Sequence, residues 1–429
     1  MSWTVDKNGK RYVKLVCVTK DNRNKFYEMS EIDADWFLAR WGRIEGGKVS
    51  EKKYPISDWE SIYREKTQRK KEPYSDMTDL MVVESAAQGK KKSALFREDR
   101  PKEVVDFAKE LQRYANQSVE ENYTVSSTAV SQRQIDRAQE LIDRITGMLV
   151  LHADADPIND LLTDLYRVIP RKMKHVRDHL LETDIKDRSA LQAAKDLLGK
   201  EQDTLDVMAG QVIVATQGLD PEDPGTRADD LLERLGLDLS PVSVAEKKNI
   251  LSMLAKTGND RQYIAAFKTN NMDTSRKFEG WVKKASARST DLLWHGSRNE
   301  NWWFILQQGL RLKPATAVIT GKMFGYGTYF ADKSQKSIGY TSLDGSYFAR
   351  GSSRKAILSL YDVHVGKMWD VFAGNKRHSH EHTQLTYDKV SSKGYDSVFA
   401  KGGYDLKNNE FIVYHENQSN IRYMVQISS

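Results

Sequence analysis

The spacing of apolar residues divides the chain into three regions, and the first is predicted to consist of strands and turns. Strands are expected at residues 12–18, 25–29 and 36–41. The pair Gly46-Gly47 indicates a hairpin. A helix is expected from Ser57 to Gln68, with Ser57 as its N-cap. Residues 1–67 are therefore predicted to form a small β-rich module.

The middle of the chain repeats its apolar residues at helical spacing, which predicts long helices with buried stripes. The three stripes are Ile135, Ala138, Leu141, Ile142, Ile145 and Leu149; Ile158, Leu161, Leu162, Leu165, Tyr166 and Ile169; and Leu191, Ala194, Leu197, Leu198, Leu205, Met208 and Val212. Pro170 is expected to end the second helix. Residues 99–217 are predicted to form an all-α bundle, joined to the first module by a polar, Lys-rich linker at 68–98.

The last region returns to β patterning after two short helical stretches near 229–236 and 244–256. Strands are expected at 356–365, 411–414 and 421–427, and the first is apolar enough to lie centrally in a sheet. Residues 218–429 are thus predicted to form a mixed domain of strands and helices. The fold class as a whole is multidomain α+β.

Composition narrows the class of protein. Of the 429 residues, 39% are hydrophobic and 29% charged, and no apolar run approaches the ~18 residues of a transmembrane helix. The N-terminus has no secretory pattern, and the one cysteine, Cys17, excludes an internal disulfide and any multi-Cys zinc site. We expect an intracellular protein with Cys17 buried in a strand. The net charge of +6 fits a nucleic-acid partner and a solvated surface equally well.

Candidate chemistry first appears in DLLWHGSRN, where an apolar run stops at His295-Gly296-Ser297. Taken alone, this is either an ordinary strand end with a turn or a backbone edge shaped to hold a ligand. The glycines of Gly325-Tyr-Gly327 do not complete the dinucleotide fingerprint, and no phosphate-binding GxxxxGK occurs. The alternating histidines of His378-Ser-His380-Glu-His382 could face a metal, but their loop-like flanks favour a solvated polar loop.

Four segments in the last third carry a specific resemblance. They are His295-Gly-Ser, Met323-Phe-Gly-Tyr-Gly-Thr-Tyr-Phe-Ala-Asp332, Lys336-Ser-Ile-Gly-Tyr340 and Asn409-Glu-Phe-Ile-Val-Tyr414. In this order they resemble the catalytic domain of the poly(ADP-ribose) polymerases. The resemblance implies an ADP-ribosyltransferase domain built around antiparallel sheets over 218–429, with His295, Tyr329 and Glu410 as its catalytic triad.

The chemistry implied by this resemblance needs only one carboxylate. Glycosidases commonly use two, one of them an acid that protonates the leaving oxygen. In NAD+ the nicotinamide is already a cation and leaves as a neutral molecule, so no acid is required. Glu410 would bind the 2′-hydroxyl of the nicotinamide ribose and orient the attacking hydroxyl. NAD+ is then the substrate and no metal is expected. In this family such a glutamate marks polymer elongation.

The resemblance also assigns the NAD-binding residues. Tyr329 and Tyr340 would form aromatic walls around the nicotinamide, while the Gly296 backbone and the Ser337 hydroxyl would bind its amide. The remaining NAD-binding residues would be His295 on a ribose hydroxyl, Ser297 toward the adenosine and Arg311 beyond it. Mono-ADP-ribosyl transfer and a silent transferase fold that only binds DNA ends are the alternatives.

The first module points to DNA. The run Arg40-Trp41-Gly42-Arg43-Ile44 resembles the Trp-Gly-Arg module of the DNA-dependent members of the family, and the helices resemble their regulatory domain. Trp41 would stack on an exposed sugar or base while Arg43 and Arg40 contact phosphates. Without the resemblance, a core Trp41 and acid-paired arginines are favoured.

This resemblance also implies the partners and the compartment of the protein. The expected partners are DNA strand breaks (5′-phosphate ends or nicks) and protein acceptors including the chain itself, with no membrane. The expected compartment is the nucleus in a eukaryote, or the cytoplasm and nucleoid in a prokaryote. A regulatory role of the helices on the NAD site rests on this analogy.

Overall fold

The structure, a computed structural model, describes most of the chain. The described residues are 3–5, 9–71, 73–80, 96–151, 154–216, 230–312, 323–373, 377, 379–403 and 405–429. They fall into two compact units, one of residues 1–90 with 117–219 and one of residues 91–116 with 220–429. Most of the predicted linker 68–98 and the predicted boundary at 217 lie outside the described residues, so the domain limits stay predictions.

The N-terminal module is an antiparallel sheet with the strand order β4-β3-β2-β1-β5. Its elements are β1 (Tyr12–Thr19), β2 (Arg23–Glu31), β3 (Trp36–Arg43), β4 (Ser50–Pro55), α1 (Trp59–Thr67) and β5 (Ser75–Asp76). Gly46 and Gly47 both have positive φ in the hairpin between β3 and β4, as predicted. Cys17 is buried in β1, also as predicted.

The predicted cap of the first helix was wrong by one residue. A 3₁₀ turn, Ile56–Asp58, precedes α1, so Asp58 rather than Ser57 occupies the N-cap position. Asp58 itself has helical φ and ψ and makes no side-chain cap bond. The chain enters the helix through a tightened turn, which satisfies the first backbone groups without a side-chain cap.

The helical region contains α2 (Lys102–Asn122), α3 (Gln132–Val150), α4 (Ala155–Val168) and α5 (Arg188–Thr216). The predicted stripes are confirmed, because Ile142, Leu162 and Val212 are almost fully buried. Ser131 and Gln134 form a reciprocal capping box at the start of α3. Helix α4 ends at Val168, two residues before Pro170, since a proline disfavours helical backbone in the residue before it.

The first unit joins the sheet to the helical region through polar contacts. Lys20, after β1, pairs with Asp156 at 2.7 Å and with Asp160 at 2.8 Å on α4. The carboxamide oxygen of Asn22 accepts from the backbone N–H of Val176 at 2.9 Å. Arg167 donates to the carbonyl of Val18 at 2.6 Å. The described parts of the first module and the helices after Asn116 therefore form one body.

The second unit is built on two sheets. Its elements are α6 (Leu231–Arg234), β6 (Leu237–Pro241), α7 (Val244–Ala255), β7 (Tyr263–Asn271), α8 (Met272–Lys284), β8 (Thr290–Gly296), α9 (Trp302–Gln308), β9 (Thr328–Phe330), α10 (Ser334–Ile338), β10 (Lys355–His364), β11 (Met368–Asp370), α11 (Tyr387–Ser391), β12 (Ser397–Ala400), β13 (Glu410–Val413) and β14 (Ser419–Ser428). One sheet has the order β6-β7-β14-β10-β8 and the other β11-β12-β13-β9. Strand β10 lies inside the first sheet and is buried along nearly its whole length, as predicted.

The two sheets meet where β8 passes β9. The N–H of Trp294 donates to the carbonyl of Ala331 at 2.8 Å, and the N–H of Ala331 donates back to Trp294 at 3.0 Å. One strand past this junction, β13 pairs with β9 and places Ile412 opposite Tyr329. The end of β8, the middle of β9 and the start of β13 are therefore neighbours although they are far apart in sequence.

The first half of α2 belongs to the second unit. Phe107 stacks on Phe267 of β7 with ring centroids 4.2 Å apart, and Gln426 of β14 donates to Glu110 at 2.7 Å. Just before the helix, Arg100 makes a buried pair with Asp230, the N-cap of α6. The first half of α2 was predicted to belong to the helical bundle. It belongs instead to the second unit, together with the two sheets.

Candidate active site

Glu410 is the first residue of β13, and its carboxylate is nearly buried beside one cation. Its Oε1 lies 2.5 Å from Nζ of Lys336 on α10, and the two side chains are 8% and 18% exposed. Burial alone would lower the pKa of Lys336, but the charge and hydrogen bond of Glu410 overcome it and raise that pKa. The pair therefore places an ammonium directly beside the Glu410 carboxyl group.

A chain of amide hydrogen bonds fixes the start of β13. The side chain of Asn409 donates to Asp332, just after β9, at 2.8 Å, and accepts from the N–H of Gly402, just after β12, at 2.9 Å. Asn409 thus ties together the two strands that flank β13. Because Glu410 is the next residue, this clip determines where its carboxylate lies.

His295 is oriented by the neighbouring strand. Its Nδ1 lies 3.0 Å from the carbonyl oxygen of Tyr329. A carbonyl oxygen can only accept, so Nδ1 carries the proton, and in the neutral ring Nε2 is a hydrogen-bond acceptor. Such a nitrogen suits a hydroxyl donor, and the ribose role of His295 stays a prediction.

Gly296 is required by close backbone approach. A Cβ built on it would lie 1.9 Å from the carbonyl oxygen of Ser337 on α10. The sequence predicted a bare residue so that an amide could reach the backbone; the structure adds that another carbonyl already fills the side-chain space. Ser337 is 4% exposed, and its hydroxyl makes no hydrogen bond within the described part of the chain.

The two predicted aromatic walls differ in their attachment. The Tyr329 hydroxyl accepts from the N–H of Phe324 at 3.0 Å and donates to the carbonyl of Gly325 at 3.1 Å, so two backbone groups hold the hydroxyl end of its ring. Tyr340 is 41% exposed. Burial raises the pKa of Tyr340; Lys336 opposes this shift and Glu410 adds to it. Tyr340 is therefore close enough to both ions to feel their charges.

The two residues predicted on the adenosine side, Ser297 and Arg311, contact different parts of the second unit. Ser297, directly after β8, accepts from the side chain of Asn301 at 3.1 Å. Arg311 is 44% exposed and pairs with Glu416, after β13, at 3.4 Å. Ser297 therefore continues the edge that holds His295 and Gly296. Within the described residues Arg311 does not contact that edge, and its predicted role stays a prediction.

The Trp-Gly-Arg strand does not bring its three predicted DNA contacts to one face. Side chains alternate along β3, so Trp41 and Arg43 share a face and Arg40 lies on the other. Trp41 stacks on Tyr27 with ring centroids 5.7 Å apart and is partly buried against the module core. Arg40 lies 4.0 Å from both Glu28 and Glu51, and Arg43 donates to the carbonyl of Lys174 at 3.3 Å.

The alternating histidines form no described metal site. His378 and the His380 side chain lie outside the described residues, while the ring of His382 accepts from the N–H of Ser379 at 3.1 Å in a helix cap. Within the described ranges, no three His, Cys, Asp or Glu side chains cluster as metal ligands. The helices described in the structure also include none long and apolar enough to cross a membrane.

Lys336 is a residue of the candidate site to which the sequence analysis assigned no role. It stood within the segment from Lys336 to Tyr340 but received no role, because its partner Glu410 lies 74 positions later. Helical spacing gives no signal for it, because α10 ends at Ile338 and Tyr340 lies beyond that end. The Lys336 ammonium nevertheless lies 5.8 Å from the centre of the Tyr340 ring.

Comparison with known proteins covers nearly the whole chain. The family model for the poly(ADP-ribose) polymerase catalytic domain matches residues 245–429. The chain is 27% identical to poly(ADP-ribose) polymerase 2-A of Oryza sativa over 95% of its own length and 68% of that protein. It is 25% identical to poly(ADP-ribose) polymerase 2 of Zea mays over the same shares. A poly(ADP-ribose) polymerase-like protein, 100L of Invertebrate iridescent virus 6, is 35% identical over 35% of this chain and 78% of the viral protein.

Proposed function

The chain belongs to the poly(ADP-ribose) polymerase family, and from that premise we propose that DNA strand breaks switch on its polymer synthesis as part of the response to DNA damage. The chain is an NAD+ ADP-ribosyltransferase with its catalytic domain at the C-terminal end. What the proposal adds is the assignment of site residues and of DNA as the activating partner. The observation that carries it is the buried Glu410–Lys336 pair beside the strands that hold His295 and Tyr329.

Nicotinamide would bind against the end of β8. The backbone of Gly296 and the hydroxyl of Ser337 bind its carboxamide, because the two residues touch and the hydroxyl has no partner among the described residues. Tyr329 and Tyr340 flank the flat ring. His295 accepts from a ribose hydroxyl through Nε2, with Ser297 and Arg311 placed toward the adenosine.

Glu410 would stabilise the reacting ribose. As the bond from ribose C1′ to the nicotinamide nitrogen breaks, its electron pair goes to the ring and the ribose becomes positively charged. The fixed carboxylate favours that charge and holds the 2′-hydroxyl, and it needs no reorganisation because Lys336 and the Asn409 clip already fix it. The hydroxyl oxygen of the acceptor then bonds to C1′, and its proton passes to solvent water. Acceptors are proteins, including the enzyme itself, and the ends of growing chains.

DNA would act through the first unit. Trp41 and Arg43 share a face of β3, and Arg43 already donates to Lys174 of the helical region. A phosphate that takes Arg43 would compete for this bond, which links DNA binding to the helices. Arg40 would contact a phosphate only from the opposite face of β3.

The experiment incubates the chain with NAD+ and either nicked or intact closed-circular DNA, then follows polymer on a gel and nicotinamide release by chromatography. We expect long polymer with nicked DNA and little with intact DNA. Equal polymer with both DNAs would overturn the dependence on breaks. Short products would indicate mono-ADP-ribosyl transfer, and binding of DNA ends without nicotinamide release would indicate a silent scaffold.

A deletion tests whether the helices restrain the enzyme. Residues 117–216 should be removed while the first half of α2 is kept, because Phe107 and Glu110 pack on the catalytic sheets. Higher activity without DNA would support restraint by the helices. Unchanged or lower activity in a folded product would contradict it.

A further inference from the structure

Resting on the nicotinamide site proposed above, we propose that Phe348 is a positioning residue that holds the Tyr340 ring and the Lys336 ammonium in place for nicotinamide. The ring of Phe348 stacks on that of Tyr340 with centroids 4.4 Å apart and planes at 15°. The nitrogen of Lys336 lies 5.3 Å from the centre of the Phe348 ring. Phe348 thus contacts both the exposed aromatic wall and the partner of Glu410.

The loop that carries Phe348 is fastened to the site on two sides. The N–H groups of Phe348 and Ala349 both donate to the carbonyl of Gly339, at 2.8 and 3.0 Å. Arg298, just after the His295-Gly-Ser segment, donates to the carbonyl of Ala349 at 3.0 Å. The loop therefore connects the helix that bears Lys336 to the strand end that bears Gly296.

The turn at the end of the loop is also closely packed. Gly351 donates to the Ser346 hydroxyl at 2.8 Å, and a Cβ on Gly351 would lie 2.3 Å from the carbonyl carbon of Ser342. Arg350 has a φ of 49°, which a residue with a side chain adopts only when its surroundings impose it. Phe348 is therefore presented by a defined loop.

Exposure distinguishes Phe348 from an ordinary core residue. Phe348 is 51% exposed and Tyr340 is 41% exposed, so the stacked pair lies at the surface of the protein. A ligand that stacks on Tyr340 must fix that ring, and a ring already fixed by a neighbour loses less freedom on binding. Stacking by Phe348 and the cation over both rings supply this preorganisation.

The test compares Phe348→Ala with two other variants and uses benzamide as a nicotinamide analogue. Phe348→Tyr keeps the stack, and Tyr347→Ala removes the neighbouring ring, which is 81% exposed and meets Phe348 only at its edge. We expect Phe348→Ala to raise the dissociation constant of benzamide and the KM for NAD+ by about 3- to 10-fold, with kcat changed by less than about 2-fold. Phe348→Tyr should restore both constants, and Tyr347→Ala should change neither.

Two results would overturn the inference. Unchanged binding of benzamide by Phe348→Ala would show that the stack does not position Tyr340, and tighter binding would show that Phe348 obstructs the site. Tyr340→Ala separates this from a failure of the proposed site. If Tyr340→Ala weakens benzamide binding while Phe348→Ala does not, only the role of Phe348 fails; if neither variant weakens it, the proposed nicotinamide site fails.

Discussion

The candidate site around Glu410 and the Trp-Gly-Arg strand both carry sequences that resemble motifs of the family, but the fold treats them differently. At the candidate site, residues from four separated segments meet through backbone contacts, as Gly296 and Ser337 do. On β3, three adjacent motif residues are divided between two faces by the alternation of side chains. Motif residues that are close together in sequence are thus separated on β3. Motif segments that are far apart in sequence are brought together by the fold around Glu410.

The largest expected effect comes from removing the buried carboxylate of Glu410. Glu410→Gln keeps the shape of the side chain but leaves Lys336 without its anion and the ribose without a stabilising charge. Polymer synthesis should fall by about 10²- to 10³-fold, the usual result when a transition-state stabilising group is removed. Initial rates of NAD+ consumption and polymer length on a gel measure this.

Glu279→Gln is the matched control for that variant, because Glu279 is exposed on α8. It should leave polymer synthesis unchanged. If Glu410→Gln retained more than a tenth of the wild-type rate, the reaction would not depend on the Glu410 carboxylate, and its proposed role would be wrong.

The backbone contact of Gly296 gives the next largest effect. A methyl group at Gly296→Ala must push Ser337 away, and overpacking of this kind costs about 1–3 kcal/mol. We expect kcat/KM for NAD+ to fall by about 10-fold or more, with a lower melting temperature. Gly280→Ala is the control, since nothing lies within 4 Å of its Cβ position; it should leave turnover unchanged. Equal turnover in both variants would mean that β8 and α10 do not need to touch.

The amide clip at Asn409 should have a moderate effect. Asn409→Ala frees the start of β13 from Asp332 and Gly402, so Glu410 loses part of its positioning while its charge remains. A drop in kcat of about 5- to 30-fold is expected, since misplaced catalytic groups lose up to about 10²-fold. Asn408→Ala, the neighbouring residue whose side chain makes no described hydrogen bond, should behave as wild type. A loss confined to KM would assign Asn409 to binding instead.

The smallest effect tests the divided strand. Arg43→Ala should raise the concentration of nicked DNA needed for half-maximal activation by about 3- to 10-fold. The dependence of DNA binding on salt concentration should also weaken, by the amount that corresponds to about one phosphate contact. Arg40→Ala, on the face with Glu28 and Glu51, should change activation less. If Arg40→Ala had the larger effect, DNA would approach from the other face of β3.

Trp41 sharpens the same test. Because its ring stacks on Tyr27 in the module, Trp41→Ala should weaken activation by DNA and also lower the melting temperature of the protein. The rate without DNA should stay the same. An equal loss of both rates would refute a role in DNA activation and leave Trp41 as a packing residue.

Much of the fold could be predicted from the sequence because its signals are local. Apolar spacing predicted α3, α4 and α5, and β10 was expected inside a sheet and lies there. The pairing of Lys336 with Glu410 was not predictable in this way, since it depends on how β8, β9 and β13 come together. The packing of the first half of α2 on β7 through Phe107 was not predictable either, because no local sequence pattern indicates this contact.

The division of β3 could have been predicted and was not. Phe37, Ala39 and Trp41 alternate with Leu38 and Arg40, so the period of two already separates Arg40 from Trp41. The resemblance predicts one common site for Arg40, Trp41 and Arg43, whereas the alternation of side chains along a strand places Arg40 on the opposite face. The Ser57 cap failed for another reason, because a 3₁₀ turn shifted the helix start by a residue that propensity alone cannot fix.

A crystal structure with benzamide bound would test the central claim most directly. The account predicts that the benzamide carboxamide bonds to the backbone of Gly296 and to the Ser337 hydroxyl, with the ring between Tyr329 and Tyr340 and close to Lys336. Benzamide bound elsewhere, or in the pocket with its carboxamide turned away from Gly296, would contradict it.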